Sequence, residues 1–396
     1  MPNATDIVIV SGARTPMGRY GGKLRDFTAM ELAAIASQEA IKRAGVDPQE
    51  FDHAIFGNAQ QTSGDAIYGA RHVALKAGLP IETPALTVNR LCGSGMQSIV
   101  NAAQMIQLGE AKTVLAGGME SMSQAPHVVR GARWGLGLGE GKLEDSLMVA
   151  LLDTYCGLYM AQTAELYGEQ QGITREAMDE FSLRSQKLAG EAQKACRLQE
   201  EIAAVALRGR KGEPTGERFE KDDHLRPETT MEGLAKLKPA FGKNITAGNA
   251  SGIVDGGAAV VVMSTAEAQR RNLRPLGRIV SWAIAGVEPK IMGSGPVPAS
   301  RKALEKAGMK LDEIDLIEVN EAFAAQYLAV EKQLGLNREK VNVNGGAIAL
   351  GHPLGATGTR LVITLLNELR RRKKKHGLAT ACIGGGQGIA MIVEAF

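Results

Sequence analysis

The feature that most constrains this chain is an internal repeat. Residues 40–52 read AIKRAGVDPQEFD and residues 303–315 read ALEKAGMKLDEID, with Ala40/Ala303, Ala44/Ala307, Gly45/Gly308, Glu50/Glu313 and Asp52/Asp315 identical. Each copy reads as a helix end, a glycine stop, a short loop and an apolar strand, Ala54-Ile-Phe56 in the first and Leu316-Ile317 in the second. The pieces downstream keep step. The stretch from Val88 to Gly95 opens a helical pattern through Leu108, followed by the strand Thr113-Val-Leu-Ala116 and Gly117-Gly118. The stretch from Val343 to Pro353 opens one through Arg372, followed by Ala379-Thr-Ala-Cys-Ile383 and Gly384-Gly-Gly386. Each half reads strand, helix, strand, glycine-rich loop, helix, strand, which argues for parallel-rich sheets covered by helices. Two copies make a duplicated α/β unit rather than a solenoid. The same offset carries Cys92 to Gly355, three residues from His352.

Between the copies the character changes. Gly135–Gly141 has a glycine at every second position, which suits an exposed loop. Helical patterns near 161–198 and the polar run Arg208–Glu220 follow. Residues 119–250 are therefore read as an inserted loop domain. The first half resumes at Ser251, with Ala258–Met263 as a buried strand. The expected division is residues 1–118 with 251–271 as the N-terminal half, 119–250 as the loop domain and 272–396 as the C-terminal half.

Composition narrows the function classes. At 396 residues with 44% hydrophobic and 22% charged residues, the chain can build a sizeable core. A net charge of +3 gives no global argument for nucleic acid or membrane. No apolar run is long enough to span a bilayer. The four cysteines, Cys92, Cys156, Cys196 and Cys382, form no CxxC pair, and no histidine is spaced to complete a metal site. Reduced thiols, a cytoplasmic location and no bound metal are the expectations.

Four residues carry candidate chemistry. Cys92 stands between a strand and a helix in Leu91-Cys-Gly-Ser-Gly95. A helix N-terminus offers a positive dipole end and unpaired N–H groups, so a lowered pKa and a larger thiolate fraction are expected. The same residue also reads as a small buried side chain. His352, in Gly351-His-Pro353, falls near the repeat position of Cys92, so the two loops can face each other and supply a Cys–His pair. A satisfied loop histidine is the alternative reading. Cys382, at the end of a strand before Ile383-Gly-Gly-Gly386, suits proton transfer or ordinary core. Asn320, in Glu318-Val-Asn-Glu-Ala-Phe323, suits positioning a water or an oxyanion, or serving as a turn residue. His53, His72, His127, His224 and His376 read as surface or loop residues, and Cys156 and Cys196 as core or helix-face thiols. The basic run Arg370–Lys375 reads as a solvated helix C-terminus.

Taken together, these motifs resemble the thiolase family over essentially the whole chain. Asn89-Arg-Leu-Cys-Gly-Ser-Gly95, Gly118-Met-Glu-Ser-Met122, Ala247-Gly-Asn-Ala-Ser-Gly252, Asn320-Glu-Ala-Phe323, Gly351-His-Pro-Leu-Gly355 and Cys382-Ile-Gly-Gly-Gly386 occur in that order. The resemblance implies an α/β fold of two duplicated βαβαβαββ halves, layered α-β-α-β-α, with an inserted loop domain. It implies an acyl-enzyme on Cys92, activated by His352, with Cys382 removing the α-proton of a second acyl-CoA. One oxyanion site would be the backbone N–H groups of Cys92 and Gly384, the other His352 with a water held by Asn320. Coenzyme A would enter as substrate, with no permanently bound cofactor. Ser251 and Ala247 would meet its pantetheine and Arg226 its adenine or phosphate end, while Met160, Tyr159 and Phe323 would line the pocket. Where biosynthetic members have His-Met-Gly, this chain has Tyr159-Met-Ala161, which points to an acyl pocket of different size. The expected reaction is condensation of two acetyl-CoA to acetoacetyl-CoA and its reverse. A degradative thiolase of longer chains, a ketoacyl synthase and a non-catalytic acyl-CoA scaffold are the alternatives. A homodimer or homotetramer is expected, with the loop at 131–141 as a tetramer contact.

Overall fold

The computed structural model describes residues 3–209 and 212–396, so Arg210 and Lys211 of the polar run Arg208–Glu220 lie outside the described residues. The main strands are β1 (Ile7–Arg14), β2 (His53–Asn58), β3 (Ala85–Val88), β4 (Thr113–Glu120), β5 (Val254–Ser264), β6 (Gly277–Gly286), β7 (Leu316–Val319), β8 (His376–Ile383) and β9 (Gln387–Ala395). The principal helices are α1 (Ala29–Ala44), α2 (Gly69–Ala77), α3 (Ser94–Gln107), α4 (Met160–Gln170), α5 (Arg175–Lys194), α6 (Pro296–Ala307), α7 (Ala324–Leu334) and α8 (Leu354–Arg371).

The repeat has a physical cause in both copies. α1 and α6 each end at a glycine in the left-handed region, Gly45 at φ 67° and Gly308 at φ 64°. The identical aspartates then cap the neighbouring strand. Asp52 Oδ2 accepts from the N–H groups of Lys112 and Thr113, and Asp315 Oδ2 from those of Lys375 and His376. Two serines complete the match. Ser11 of β1 donates to Ala40 O and Ser281 of β6 donates to Ala303 O, at 2.6 and 2.7 Å. Each half thus buckles its first helix onto its first strand in the same way.

The strands run in the order β7-β8-β9-β6-β1-β5-β4-β2-β3. Outward from the β1–β6 junction, β5-β4-β2-β3 on one side answers β9-β8-β7 on the other. Val341 bridges β7 where β3 pairs with β2. The junction itself is thin, Val8↔Arg278 and Ile9↔Gly277. Among the named strands, parallel pairing joins β2 to β3 and β4, and β7 to β8; the other pairings between them are antiparallel. The sheets are therefore mixed rather than parallel-rich. β9 follows β8 through the tight turn Gly384–Gly386, where Gly385 and Gly386 take φ 78° and 83°, and a hairpin reverses direction.

Apolar side chains sort into layers. One core joins α3 and α8 to the faces of both half-sheets, through Met96, Ile99, Leu361 and Val362 on the helices. A second packs α1 and α2 on the outside of the first half, and a third packs α6 and α7 on the outside of the second. The two central helices meet backbone to backbone. A Cβ on Gly95 would come within 2.6 Å of Gly355 O, and one on Gly358 within 2.4 Å of Met96 N. That approach sets the starts of α3 and α8 side by side, and Cys92 and His352 immediately precede them.

The stretch between β4 and β5 is tied down by a buried charge cluster. Arg14, at the end of β1 and fully buried, binds Glu201 at 2.7 Å and Asp222 at 2.7 and 3.0 Å. Asp222 also accepts from Met17 N–H. α5 meets α7 through the stacked rings of Phe181 and Tyr327, 4.0 Å apart. The basic run closing α8 is bound by acids, with Arg371 and Arg372 on Glu368, Lys374 on Asp315 and Lys375 on Glu394. Among the described residues no helix is long and apolar enough to cross a membrane.

Candidate active site

Cys92 lies in a single helical turn, Leu91–Gly93, ahead of α3. Leu91 is held at φ 45°, a conformation that costs a branched side chain and that persists only where its surroundings enforce it. Asn89 Oδ1 accepts from Leu91 N–H at 2.9 Å, while Ser94 Oγ accepts from Arg90 N–H and donates to Leu91 O. A tight elbow results, with the thiol facing a cavity.

His352 is almost fully buried in the loop before α8. Gly351 takes φ 96°, and any Cβ there would strike Val254 at 2.3 Å, so only glycine fits. Thr357, one turn into α8, donates its hydroxyl to Pro353 O at 3.0 Å. It must then accept from His352 Nδ1–H, 2.5 Å away, which leaves the lone pair on Nε2. Asn320 Nδ2 lies 3.3 Å from that Nε2. Asn320 is anchored through its own N–H to Thr380 O, and its Oδ1 has no hydrogen-bond partner among the described residues. Cys382, near the end of β8, is wholly buried beside Met292 and Ala322.

Cys92, His352 and Cys382 line one cavity of about 570 Å³. Tyr159, Met160, Arg226, Ala247, Ser251 and Phe323 line it too. Asn320 joins through His352, and Gly384 directs its N–H at the Cys92 sulfur. All the residues singled out in the sequence therefore converge on one place. Among the described residues no group of three or more His, Cys, Asp or Glu side chains is gathered to hold a metal ion.

The electrostatics correct one expectation. Burial pushes the Cys92 thiol up to about 11, against the N–H groups of Gly384 and of Cys92 itself. Cys92 is thus not a resting thiolate, because desolvation outweighs the dipole. Burial, and then the Arg360 charge, hold His352 down at about 3. Burial, and then Cys92, raise Cys382 above the ordinary thiol range. The ground state is a neutral thiol facing a neutral imidazole.

Further residues that no motif in the sequence marks line the cavity. His224, set aside as a surface or loop residue, packs its ring over Gly252 and faces the cavity, with burial and then Arg226 lowering it to about 4. His53 and His376 begin β2 and β8 rather than lying in loops, and Cys196 is exposed just past α5 at φ 56°. Phe241 stacks on Tyr159 with ring centres 4.8 Å apart, and Met148, Leu151 and Met292 complete the apolar wall. Nothing local in the sequence distinguishes Thr357 or Phe241; their partners are set by the fold.

Comparison with known proteins identifies the family to which this fold belongs. The thiolase N-terminal domain model matches residues 7–266 and the thiolase C-terminal domain model residues 273–395. The chain is 52% identical over 391 residues to the mitochondrial 3-ketoacyl-CoA thiolase of Homo sapiens, covering 98% of each chain. It is 50% identical to an acetyl-CoA acetyltransferase of Cupriavidus necator, covering 98% of this chain and 99% of the other. Among solved structures, human mitochondrial 3-ketoacyl-CoA thiolase in complex with CoA superposes with a TM-score of 0.96 at 50% identity over 99% of each chain. The Bacillus anthracis acetyl-CoA acetyltransferase does so at 0.96 and 47% identity, over 99% of each chain.

Proposed function

The chain belongs to the thiolase family and is a thiolase enzyme, and from that premise we propose that it condenses two acetyl-CoA to acetoacetyl-CoA and free CoA and also runs the reverse thiolysis. The observation that carries this reading is the meeting of Cys92, His352 and Cys382 on one cavity wall. His352 Nε2 takes the Cys92 proton as the sulfur attacks the thioester carbonyl. The N–H groups of Cys92 and Gly384 hold the oxyanion. Collapse expels CoA, which leaves with the proton from His352. The second thioester oxygen rests against His352 and a water on Asn320 Oδ1. Cys382 passes its own proton to the freed His352 Nε2, so an N–H faces that oxygen, and the resulting thiolate takes the α-proton; its raised pKa makes it a strong base for a weak carbon acid. The carbanion attacks the acyl-Cys92 carbonyl. The expelled Cys92 sulfur recovers a proton from His352 while Cys382 keeps the α-proton, so all three groups return to their neutral forms.

Arg226, Ser251 and Ala247 line the cavity and would meet an entering CoA chain, and CoA as the substrate is supported by the human relative's complex with CoA. A second reading, thiolysis of longer 3-ketoacyl chains, is favoured by the apolar wall of Tyr159, Phe241, Met148 and Leu151. Steady-state cleavage of acetoacetyl-CoA against longer 3-ketoacyl-CoAs separates the two. The chain self-associates into dimers or tetramers, and a reducing compartment such as the cytoplasm suits thiols that must stay free. Intact-mass analysis after acetyl-CoA should show one acetyl on the wild type and none on Cys92→Ser; equal labelling sinks the assignment. Cys382→Ala should still acylate yet lose deuterium exchange at the α-carbon of the second acyl-CoA. Undiminished exchange rules it out as the base.

A further inference from the structure

Glu120 is wholly buried at the end of β4, and the reaction above makes no use of it. Its Oε1 accepts from Asn58 Nδ2 at 2.9 Å and Gln60 N–H at 3.0 Å. Its Oε2 accepts from Ala59 N–H at 3.1 Å and Gly355 N–H at 2.8 Å. Four donors from two distant segments converge on one carboxylate.

Each segment leads to one member of the Cys–His pair. Gly355 lies in the first turn of α8, three residues beyond His352, in the turn where Thr357 fixes the imidazole. On the other side, Ala59 O accepts from Asn89 Nδ2 at 3.1 Å, and Asn89 Oδ1 accepts from Leu91 N–H at 2.9 Å. Leu91 is the residue at φ 45°, so the backbone that turns Cys92 into the cavity hangs on Asn89. Asn89 in turn hangs on the loop that Glu120 holds. Ala59, itself one of these donors, and Leu354, next to Gly355, pack in the apolar group that contains Cys92.

We infer that Glu120 is a positioning residue that sets Cys92 and His352 in register by tying the loop beneath each to a single carboxylate. The inference rests on the reading of Cys92 as the acyl acceptor. Only a carboxylate can receive donors on both of its oxygens here, since an amide would turn an NH₂ toward two of them. Burial, with Asp255 also contributing, pushes Glu120 up to about 7, while the N–H groups of Gly355, Gln60 and Ala59 pull it back. The fold thus keeps a desolvated acid directly under the site, at a junction where an apolar residue could tie neither loop.

The test compares the full-length wild type, Glu120→Gln and Asn89→Ala. The readouts are acetylation of Cys92 by acetyl-CoA, followed by rapid quench and mass, with steady-state kcat, KM and melting temperature. Because misalignment of reacting groups by about 1 Å can cost on the order of 100-fold, Glu120→Gln should acylate at least about tenfold more slowly, with KM within about twofold of wild type. Asn89 is exposed, so Asn89→Ala should fold normally and give a smaller loss of the same kind at an unchanged melting temperature. Asn89→Ala acylating at the wild-type rate, or Glu120→Gln changing KM while leaving acylation untouched, overturns the inference. If Glu120→Gln does not fold, Asn89→Ala decides alone. A wild type that takes no acetyl on Cys92 overturns the functional reading instead.

Discussion

Two N–H groups, its own and that of Gly384 from the β8–β9 turn, aim at the Cys92 sulfur, yet burial still raises the thiol to about 11. His352 is held near 3, so an imidazolium partner is absent at neutral pH. On the proposed mechanism, the cost of charge separation in this cavity is met during the reaction, when the thioester oxygen takes up negative charge beside those N–H groups. The consequence is measurable at one residue. Below a raised thiol pKa the thiolate fraction grows about tenfold for each pH unit. Alkylation of Cys92 by iodoacetamide in substrate-free protein should thus keep rising from about pH 7 to about pH 10. A plateau reached below pH 8 would mean a resting thiolate–imidazolium pair and would refute the neutral ground state.

Among the elements, Arg14 shows how the cavity wall is fixed. It closes β1 and pins Asp222, whose neighbours Asp223 to Arg226 line the cavity. Removing one partner of a buried ion pair leaves the others unpaired, at roughly 3–5 kcal/mol. Arg14→Ala should lower the unfolding free energy by about that amount in urea titration. A loss below about 1 kcal/mol would place these charges in water-like surroundings. Arg14 also marks where the sequence stops being legible. The repeat could be read because Gly45 and Gly308 stop their helices locally and because the same residues recur in the same order in both copies, a match that needs no knowledge of the partners of Asp52 and Asp315. Cys92 and His352 could be read because each sits in a glycine-rich loop at an element's end, and Cys382 because it ends a strand just before Gly384-Gly-Gly386. Arg14, Glu120, Thr357 and Phe241 are ordinary residue types whose partners come from distant segments, so their roles exist only once the chain has folded. Strand direction was hidden for a similar reason, since the turn at Gly384–Gly386 and the long excursion before β5 decide it rather than any periodicity within the strands.

At the scale of the whole molecule, the two halves differ in one respect that bears on assembly. The outer strand of the second half is covered: Val341 and Asn342 are buried, and Arg184 of α5 donates to Val341 O. Its counterpart β3 is bare, with Leu86 and Thr87 exposed and Ile81, at 73% exposure, beside them. An uncovered edge strand with apolar side chains is a site for pairing, and a second copy offers the same edge in return. A separate apolar surface lies on the exposed loop around 131–141, where Trp134 is 87% exposed and Leu138 fully so. The two surfaces predict two steps of assembly. Leu86→Glu should yield monomers by light scattering and also lower kcat, because β3 runs directly into Asn89 and the Cys92 turn. Trp134→Ser with Leu138→Ser should leave dimers of undiminished acylation rate if the loop joins dimers into tetramers. A Leu86→Glu protein of wild-type mass would remove the edge from the assembly. A wild-type mass after the loop changes would confine association to β3.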